Sequence, residues 1–429
     1  MKNFLYEHNE HWLDKRYNTG YHRELMDELK AVMQSDHILA ISGVRRCGKS
    51  FLMKQMINAL LDQGVPPQNI LFANLEFPAM LRDPSTKVLD ELVETYRKLK
   101  QPTGKVYLFF DEIQTIRQWE VWMKSRYDLH KGMMKFVITG SNSQLLSSEF
   151  ASLLSGRVIE KRLFPFSLKE ILDVHAIPHA TIQEQMIYKA QILHFFDLYL
   201  QVGGMPEVVL CNSSELRSEL LASYFNGIIY KDIVPRFGIR DSLAIQNLSL
   251  YALENVTSLM NFKKVADAVH TTRDNVRDFL YYLHQAYLNF LVQKFDFSSR
   301  SRVLSQKKCY AIDTGFVNTL TLRFSPNRGK LLENCVFLEL KKRYEEVFYY
   351  RNAGECDFII YHQQKGSIAV QVCDVLTPEN RARELRGLRL GCNYLSTDVG
   401  FIITYDQEEV VQMDNIKVVV TPFWKWVLE

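Results

Sequence analysis

Residues 43 to 50 read Gly-Val-Arg-Arg-Cys-Gly-Lys-Ser, and an apolar run at residues 37–41 comes directly before them. This is the G-x-x-x-x-G-K-[ST] pattern of a phosphate-binding loop, in the position between a strand and a helix that such a loop requires. Glycines let the backbone turn its N–H groups toward phosphate oxygens, and the helix predicted at residues 49–61 adds the positive end of its dipole. The stretch therefore predicts a site for ATP or GTP.

Two side chains of this loop have expected roles of their own. Lys49 would neutralise phosphate charge, and the hydroxyl of Ser50 would coordinate Mg²⁺. The residues expected to bind the nucleotide are Gly43, Val44, Arg45, Arg46, Cys47, Gly48, Lys49 and Ser50.

The composition indicates a soluble globular protein of several domains. The chain has 429 residues, of which 47% are hydrophobic and 24% are charged, and a single core rarely grows beyond about 300 residues. No apolar stretch approaches the roughly 20 residues that cross a bilayer, and the first residues lack the apolar segment of a secretion signal. Seven cysteines without C-x-x-C spacing predict a reducing cytoplasm, without disulfides or zinc. A net charge of +3 neither indicates nor excludes a nucleic-acid partner.

Four apolar runs, at residues 70–75, 106–110, 136–139 and 157–163, alternate with amphipathic helical stretches after the loop. This alternation predicts an α/β fold with a parallel sheet. The second run is followed by Asp111 and Glu112, at the edge where phosphate-loop enzymes hold Mg²⁺ and water. We expect Asp111 to hold the magnesium shell and Glu112 to act as the general base on the attacking water. Solvated acids at a strand end are the structural alternative.

The next predicted strand is followed by the polar residues 140–143, and Arg157 comes after one further predicted helix. This order resembles the AAA+ ATPases. By that resemblance Asn142 is the first sensor of the γ-phosphate, with Ser141 as the alternative, and Arg157 is the arginine finger. Such an arginine raises the rate about 10³- to 10⁵-fold, whereas the alternative for Arg157 is a surface arginine that caps a helix.

Five stretches together resemble a large, poorly characterised family of bacterial and archaeal AAA-type ATPases. They are the loop at 43–50, Phe110-Asp111-Glu112-Ile113-Gln114 with Trp122 downstream, Thr139-Gly140-Ser141-Asn142-Ser143, Phe164-Pro165-Phe166-Ser167-Leu168-Lys169-Glu170 and Gly203-Gly204-Met205-Pro206-Glu207. In this family an ATPase core precedes a C-terminal domain of unknown function related to restriction endonucleases. The resemblance implies ATP binding and hydrolysis with Mg²⁺, and it supplies no cellular task.

The middle of the chain has helical periodicity. Residues 177–237 resemble the helical lid of AAA+ proteins, and the Gly-Gly-Met-Pro stretch starts a new helix at Pro206. Residues 262–269 and 273–283 read as a helix-turn-helix, with a wing strand at 290–297. Arg273 and Arg277 alternate with acidic residues in the second helix, so this region either contacts DNA, weakly and non-specifically, or contacts protein or packs against the lid. We interpret Lys307 and Lys308 as exposed loop charges.

From residue 328 the pattern predicts helix, three strands, helix and strand, an order that resembles the restriction-endonuclease core. Active members hold a divalent metal with acids and a Glu-x-Lys pair. This chain has Glu333 and Asp357, but Gln371 and Cys373 stand where Glu-x-Lys is expected. The nearest replacement lysines on the same helix, Lys341 and Lys342, are too far from Glu333. The domain is therefore predicted to be inactive.

We predict an α/β protein in four parts. They are an AAA-type phosphate-loop core with a parallel sheet at residues 1–175, a helical lid at 176–240, a winged-helix-like domain at 241–300 and a degenerate restriction-endonuclease-like α/β domain at 301–429. The expected function is Mg²⁺-dependent ATP hydrolysis coupled to movement of the other three parts. The alternatives are a nucleotide-gated switch with negligible hydrolysis and an ATP-regulated DNA nuclease. Expected partners are ATP, weakly bound DNA and further copies of the chain, and no membrane.

Overall fold

The computed structural model describes residues 1–141, 153–321, 327–362 and 366–429. Within these ranges the chain forms two compact units, residues 1–164 and 165–429. No helix in the described residues is both long and apolar enough to cross a membrane.

The first unit contains a five-stranded sheet with the order β2-β3-β4-β1-β5, in which all neighbouring strands are parallel. The strands are β1 Ile38–Ser42, β2 Ile70–Asn74, β3 Val106–Asp111, β4 Met134–Gly140 and β5 Val158–Arg162. The predicted parallel sheet is confirmed, with strand ends that differ by one or two residues. Because all strands run the same way, their carboxyl ends share one edge, and the end of β4 lies between those of β1 and β3.

Helices complete this unit and bury apolar side chains with helical spacing, as Val88, Leu92 and Tyr96 show in the fifth of them. They are α1 Lys2–His8, α2 Leu25–Gln34, α3 Lys49–Asp62, α4 Pro78–Leu81, α5 Thr86–Lys100 and α6 Trp119–Leu129. Short 3₁₀ turns occur at Glu10–Leu13, Pro67–Asn69 and Ile113–Thr115. The predicted helix after the phosphate-binding loop is confirmed as α3.

The second unit begins with helices, as predicted for its N-terminal part. They are α7 Leu168–Val174, α8 Ile182–Ile187, α9 Lys189–Val202, α10 Pro206–Leu210, α11 Ser214–Gly227, α12 Val234–Phe237, α13 Ser242–Glu254, α14 Phe262–Ala268, α15 Arg273–Gln285, α16 Ser299–Leu304 and α17 Thr314–Leu320. A π-helical segment, Ile228–Ile233, joins α11 to α12. Capping boxes start α7 at Ser167 and α8 at Thr181.

A three-stranded antiparallel sheet has one strand before and two strands after the helix-turn-helix formed by α14 and α15. Its strands are β6 Leu259–Met260, β7 Asn289–Val292 and β8 Lys307–Ala311, with β8 in the middle. The strand predicted at residues 290–297 is therefore shorter than predicted, Asn289–Val292. The interpretation of Lys307 and Lys308 as loop charges is wrong, because both residues lie in the central strand and Lys308 is buried.

The C-terminal part is a six-stranded mixed sheet with the order β13-β14-β12-β11-β10-β9, in which β11, β12 and β14 are parallel. Its elements are α18 Arg328–Arg343, β9 Phe348–Arg351, β10 Glu355–Ile360, β11 Ile368–Val372, α19 Pro378–Leu395, β12 Val399–Thr404, β13 Glu409–Met413, β14 Ile416–Pro422 and α20 Phe423–Leu428. The predicted order of helix, three strands, helix and strand is confirmed. The last hairpin and α20 were not predicted.

Asp313 explains the Gly-Gly-Met-Pro stretch between α9 and α10. Its buried carboxylate accepts hydrogen bonds from the backbone N–H groups of Gly204, at 2.6 Å, and Gly315, at 2.8 Å. A Cβ atom on Gly203 would lie 1.7 Å from Asp313 Oδ1, and Gly203 has a φ of +77°. Glycine is therefore required at position 203 both by the backbone conformation and by the close approach of the carboxylate.

Candidate functional site

The phosphate-binding loop connects the end of β1 to the start of α3. Gly48 precedes α3 with a φ of 104°, in the region that favours glycine. A Cβ atom on Gly43 would lie only 2.3 Å from the carbonyl oxygen of Leu163, so a side chain does not fit there. The first turn of α3 has no side-chain cap, and its N–H groups are donors for an anion. The backbone thus has the form that a phosphate cradle needs.

Lys49 begins α3 and is only 4% exposed. Its Nζ donates to the carbonyl oxygen of Gly43 at 3.1 Å and lies 3.3 Å from Glu112 Oε1. Burial lowers the pKa of Lys49, but the negative charges around it, of which Glu112 contributes most, together outweigh burial and the net shift is upward. Lys49 therefore stays positively charged inside the protein and contacts the phosphate-binding loop.

Asp111, at the end of β3, is held by two hydroxyl groups. Ser50 Oγ donates to Asp111 Oδ2 and Thr139 Oγ1 donates to Asp111 Oδ1, both at 2.5 Å. Burial and then the charge of Glu112 raise the pKa of Asp111 to about 6, against these two hydrogen bonds. The structure thus brings together Ser50 and Asp111, which the sequence predicted as magnesium ligands. A hydroxyl and a carboxylate are oxygen ligands of the kind that Mg²⁺ prefers.

Glu112 has a φ of +56°, which is uncommon for a residue other than glycine and often marks functional positions. Its Oε2 accepts hydrogen bonds from Gln114 Nε2, at 2.5 Å, and from the backbone N–H of Ser141, at 3.1 Å. Burial raises the pKa of Glu112, but the charge of Lys49, the hydrogen bond from Gln114 and the charge of Arg45 together outweigh burial and the net shift is downward. Glu112 is therefore an oriented, ionised carboxylate beside the loop.

Gln114 is the residue of this site to which sequence reasoning gave no role. Its amide nitrogen must face Glu112, because a carboxylate only accepts hydrogen bonds, and it also lies 3.3 Å from Ser141 Oγ. The opposite atom, Gln114 Oε1, is buried and has no hydrogen-bond partner among the described residues. An orphaned buried acceptor calls for an explanation such as a missing water or ligand. The signal in the sequence was its position two residues after Glu112.

Arg23 was also missed, because no motif surrounds it. It is buried, and it donates to the carbonyl oxygen of Cys47 at 2.8 Å and to that of Phe164 at 2.6 Å. It therefore ties the phosphate-binding loop to the end of the first unit. Arg45, within the loop, pairs with Glu76 at 2.9 Å.

Arg157, the predicted arginine finger, makes its side-chain hydrogen bonds away from this cluster. Arg157 lies at the surface, where its Nε contacts Asp128 Oδ1 at 2.9 Å and its Nη2 contacts Asp128 Oδ2 at 3.3 Å. Asn142 lies outside the described residues. Its predicted alternative, Ser141, contributes a backbone N–H to Glu112.

A second cluster of charged groups lies in the C-terminal part. Glu333 and Asp357 come together, as predicted, but the expectation that no lysine is near them is wrong. Lys308 Nζ lies 3.2 Å from Glu333 Oε1 and 3.1 Å from Asp357 Oδ1. This lysine lies on β8, much earlier in the sequence than Gln371 and Cys373. Those two positions are where the Glu-x-Lys pattern places its residues.

The charges on the second helix of the helix-turn-helix are largely paired. Arg277 lies 3.3 Å from Asp274 and 3.0 Å from Asp278. Both ion pairs on α15 thus involve Arg277, and Arg273 has no ion pair among the described residues.

Three family profiles match consecutive parts of the chain. One described as an AAA domain matches residues 35–172, a domain of unknown function (DUF8612) matches 193–327, and another (DUF4143) matches 328–426. An uncharacterised protein of Methanocaldococcus jannaschii is 32% identical over 407 residues, which cover 91% of this chain and 88% of that protein. An uncharacterised protein of Haemophilus influenzae is 29% identical over 406 residues, covering 93% and 96%.

Solved structures with similar folds include Aeropyrum pernix ORC1 in complex with DNA, at a TM-score of 0.31 and 13% identity, covering 70% of this chain and 92% of that one. AMPPCP-bound DnaA from Aquifex aeolicus has a TM-score of 0.25 and 13% identity, covering 61% and 86%.

Proposed function

We propose that this chain, which belongs to a poorly characterised AAA-type phosphate-loop ATPase family of bacteria and archaea, binds ATP with Mg²⁺ and hydrolyses it. The observation that carries the proposal is the meeting of Lys49, Ser50, Asp111 and Glu112 at one sheet edge, with contacts of 2.5 Å between Ser50 and Asp111 and 3.3 Å between Lys49 and Glu112. These are the groups that phosphate-loop enzymes use for phosphate binding, metal binding and water activation.

The contacts of Lys49 suggest how binding and hydrolysis are linked. Its ammonium lies 3.3 Å from Glu112 Oε1 and neutralises that carboxylate. Phosphate oxygens compete for the same ammonium, so nucleotide binding would remove the strongest influence that lowers the pKa of Glu112. The freed carboxylate, oriented by Gln114 and Ser141, would then take a proton from water. Mg²⁺, held by Ser50 and Asp111, would supply charge neutralisation at the phosphate oxygens.

A steady-state measurement of phosphate release tests this function. We expect release from ATP that requires Mg²⁺ and stops when a chelator removes it. Retention of ATP without measurable release would favour the nucleotide-gated switch instead. Absence of ATP binding in the presence of Mg²⁺ would contradict both.

The remaining parts of the function are proposals that rest on the resemblance. We propose that hydrolysis moves the lid, the winged-helix-like part and the C-terminal part, and that copies of the chain associate. We propose that contact with DNA is weak and non-specific, because Arg277 of α15 is paired with Asp274 and Asp278 and affinity for DNA depends on net cationic contacts.

Gln114 has the geometry of a residue that positions the attacking water. Its nitrogen holds Glu112, and its orphaned oxygen is an acceptor for a water proton. We predict that Gln114→Met lowers kcat roughly 10- to 100-fold, the equivalent of one lost hydrogen bond to a charged group at about 1.5 to 3 kcal/mol. ATP affinity should change little. Phosphate release and equilibrium binding of a labelled nucleotide measure the two effects separately.

The matched control for this variant is Gln63→Met, at an exposed glutamine of the same unit that follows α3. It should behave like the parent in both assays. Equal kcat for Gln114→Met and the parent would show that Gln114 does not position the attacking water. The proposed ATP hydrolysis would not be contradicted by that result.

Arg157 keeps its predicted role as an arginine finger that acts on a neighbouring copy. In that case the turnover per chain should rise with protein concentration, and Arg157→Ala should remove the rise and lower kcat by about 10³-fold or more. The control is Arg126→Ala, because Arg126 is a similarly exposed arginine paired with Asp90 at 2.6 Å. Surface ion pairs contribute only about 0 to 1 kcal/mol to stability, so both variants should fold. Concentration-independent turnover with a fully active Arg157→Ala would leave Arg157 as a surface residue.

A further inference from the structure

Lys308 is a buried lysine surrounded by acidic side chains of the C-terminal part. Its Nζ lies 2.7 Å from Glu355 Oε1, 3.1 Å from Asp357 Oδ1 and 3.2 Å from Glu333 Oε1. The lysine side chain is only 3% exposed, whereas that of Glu355 is 35% exposed. One ammonium group thus contacts oxygens of three carboxylates, in a centre that reaches solvent on the side of Glu355.

These groups come from separate elements. Lys308 lies on the central strand of the three-stranded sheet, where it pairs with Leu259 on one side and Val292 on the other. Glu355 and Asp357 lie two residues apart on β10, and therefore on the same face of the six-stranded sheet. The contact joins two sheets through one cation.

The carboxylates are held in place by further hydrogen bonds. Tyr310, two residues after Lys308 on β8, donates its hydroxyl to Glu333 Oε1 at 2.8 Å. The backbone N–H of Val372 donates to Asp357 Oδ2 at 3.0 Å. These partners hold the carboxylates of Glu333 and Asp357 near one another, and a cation between them offsets their repulsion.

The position of the Lys308 ammonium group indicates that this cation is the lysine itself and not a divalent metal. A magnesium or calcium ion would need distances of about 2.0 to 2.6 Å from the same oxygens, and these oxygens already face Lys308 Nζ. A lysine that only orients a water molecule would stand beside the acids, whereas Lys308 stands among them. The β8 ladder on both sides of Lys308 anchors its backbone and limits its withdrawal.

We propose that the ammonium group of Lys308 is the resident cation of this carboxylate centre, that it takes the place a divalent metal would need, and that it fastens the three-stranded sheet to the six-stranded sheet. The centre is then a lock between two parts of the second unit. Removal of the lysine should convert it into a site for a divalent cation.

The test compares the full-length parent with Lys308→Ala, in the absence of nucleotide. Lys308→Ala should lower the thermal unfolding midpoint, and Mn²⁺ should restore much of the loss by binding among the freed carboxylates. Mn²⁺ titration followed by electron paramagnetic resonance should detect one additional bound ion per chain, which the further change Asp357→Asn removes. Lys307→Ala, next to it on β8, is the matched control and should respond to Mn²⁺ like the parent.

If Lys308→Ala does not fold, measurements of Mn²⁺ binding and DNA cleavage on the parent protein still test the proposal. The parent should bind no Mn²⁺ that depends on Asp357, and it should not cleave supercoiled or linear DNA with Mn²⁺. Mn²⁺ binding or DNA cleavage that disappears in Asp357→Asn but survives Lys49→Ala would overturn the proposal and make Lys308 part of a metal-dependent nuclease. Folded Lys308→Ala with an unchanged midpoint and no added Mn²⁺ would overturn it as well.

Discussion

Lys49→Ala should lose ATP, whereas Glu112→Gln should bind ATP and fail to hydrolyse it. Lys49 would give the phosphates charge-assisted hydrogen bonds worth about 1.5 to 3 kcal/mol each, and the loss of two of them weakens binding at least about 100-fold. Glutamine at position 112 retains the shape of the side chain but is no base, so kcat should fall roughly 10²- to 10⁴-fold. Two measurements separate loss of binding from loss of hydrolysis. They are the retention of unhydrolysed ATP on the Glu112→Gln protein and the phosphate release from each variant.

The ion pair between these two residues demands one control. Lys49→Ala leaves Glu112 buried without its cation, and such a loss costs about 3 to 5 kcal/mol of folding free energy. The double variant Lys49→Ala with Glu112→Gln removes both charges and should recover part of that stability while still not binding ATP. Thermal unfolding of all three proteins separates lost binding from lost folding. Equal hydrolysis by both single variants and the parent would refute the assignment.

Asp313→Ala should destabilise the second unit by about 3 to 5 kcal/mol, which makes it the largest effect we expect outside the nucleotide site. The change leaves the N–H groups of Gly204 and Gly315 without their acceptor, and each unsatisfied buried group costs about 1 to 3 kcal/mol. Burial raises the pKa of Asp313 to about 7, against these backbone hydrogen bonds. A raised pKa means that the folded state favours the protonated carboxyl, so the loss should be larger below pH 7 than at pH 8, and unfolding is measured on both sides of this pKa.

Urea unfolding gives the total loss, and hydrogen exchange at the amides of Gly204 and Gly315 locates it. The matched control is Asp241→Ala, because Asp241 is an exposed aspartate that caps α13 by accepting from the N–H of Ala244 at 2.9 Å. That cap should be worth only about 1 kcal/mol. If both variants lose the same small amount of unfolding free energy, Asp313 is an ordinary helix cap.

Gly203→Ala should also destabilise the unit, but by less when Asp313 is already alanine.

Two regularities of the chain were sufficient to predict most of the fold and the centre of the site. The phosphate-loop spacing located α3, and apolar runs located the five parallel strands and the acids at the end of β3. Both signals are local, because a loop of eight residues and a strand of five carry their pattern in neighbouring positions. The terminal hairpin of β13 and β14 was missed because β13 has no buried residue, only exposed and half-buried ones, and so lacks the continuous apolar run of the central strands.

The sequence by itself therefore determined the parallel sheet, the phosphate-binding loop and the pair Asp111 and Glu112. Only the tertiary structure decided which polar groups become partners. Lys308 meets Asp357 across 49 residues, and Asp313 meets Gly204 across 109. No local spacing encodes such a pair, because burial makes an unpartnered charge or N–H group costly and the chain must satisfy it with whatever group the packed strands and helices bring near.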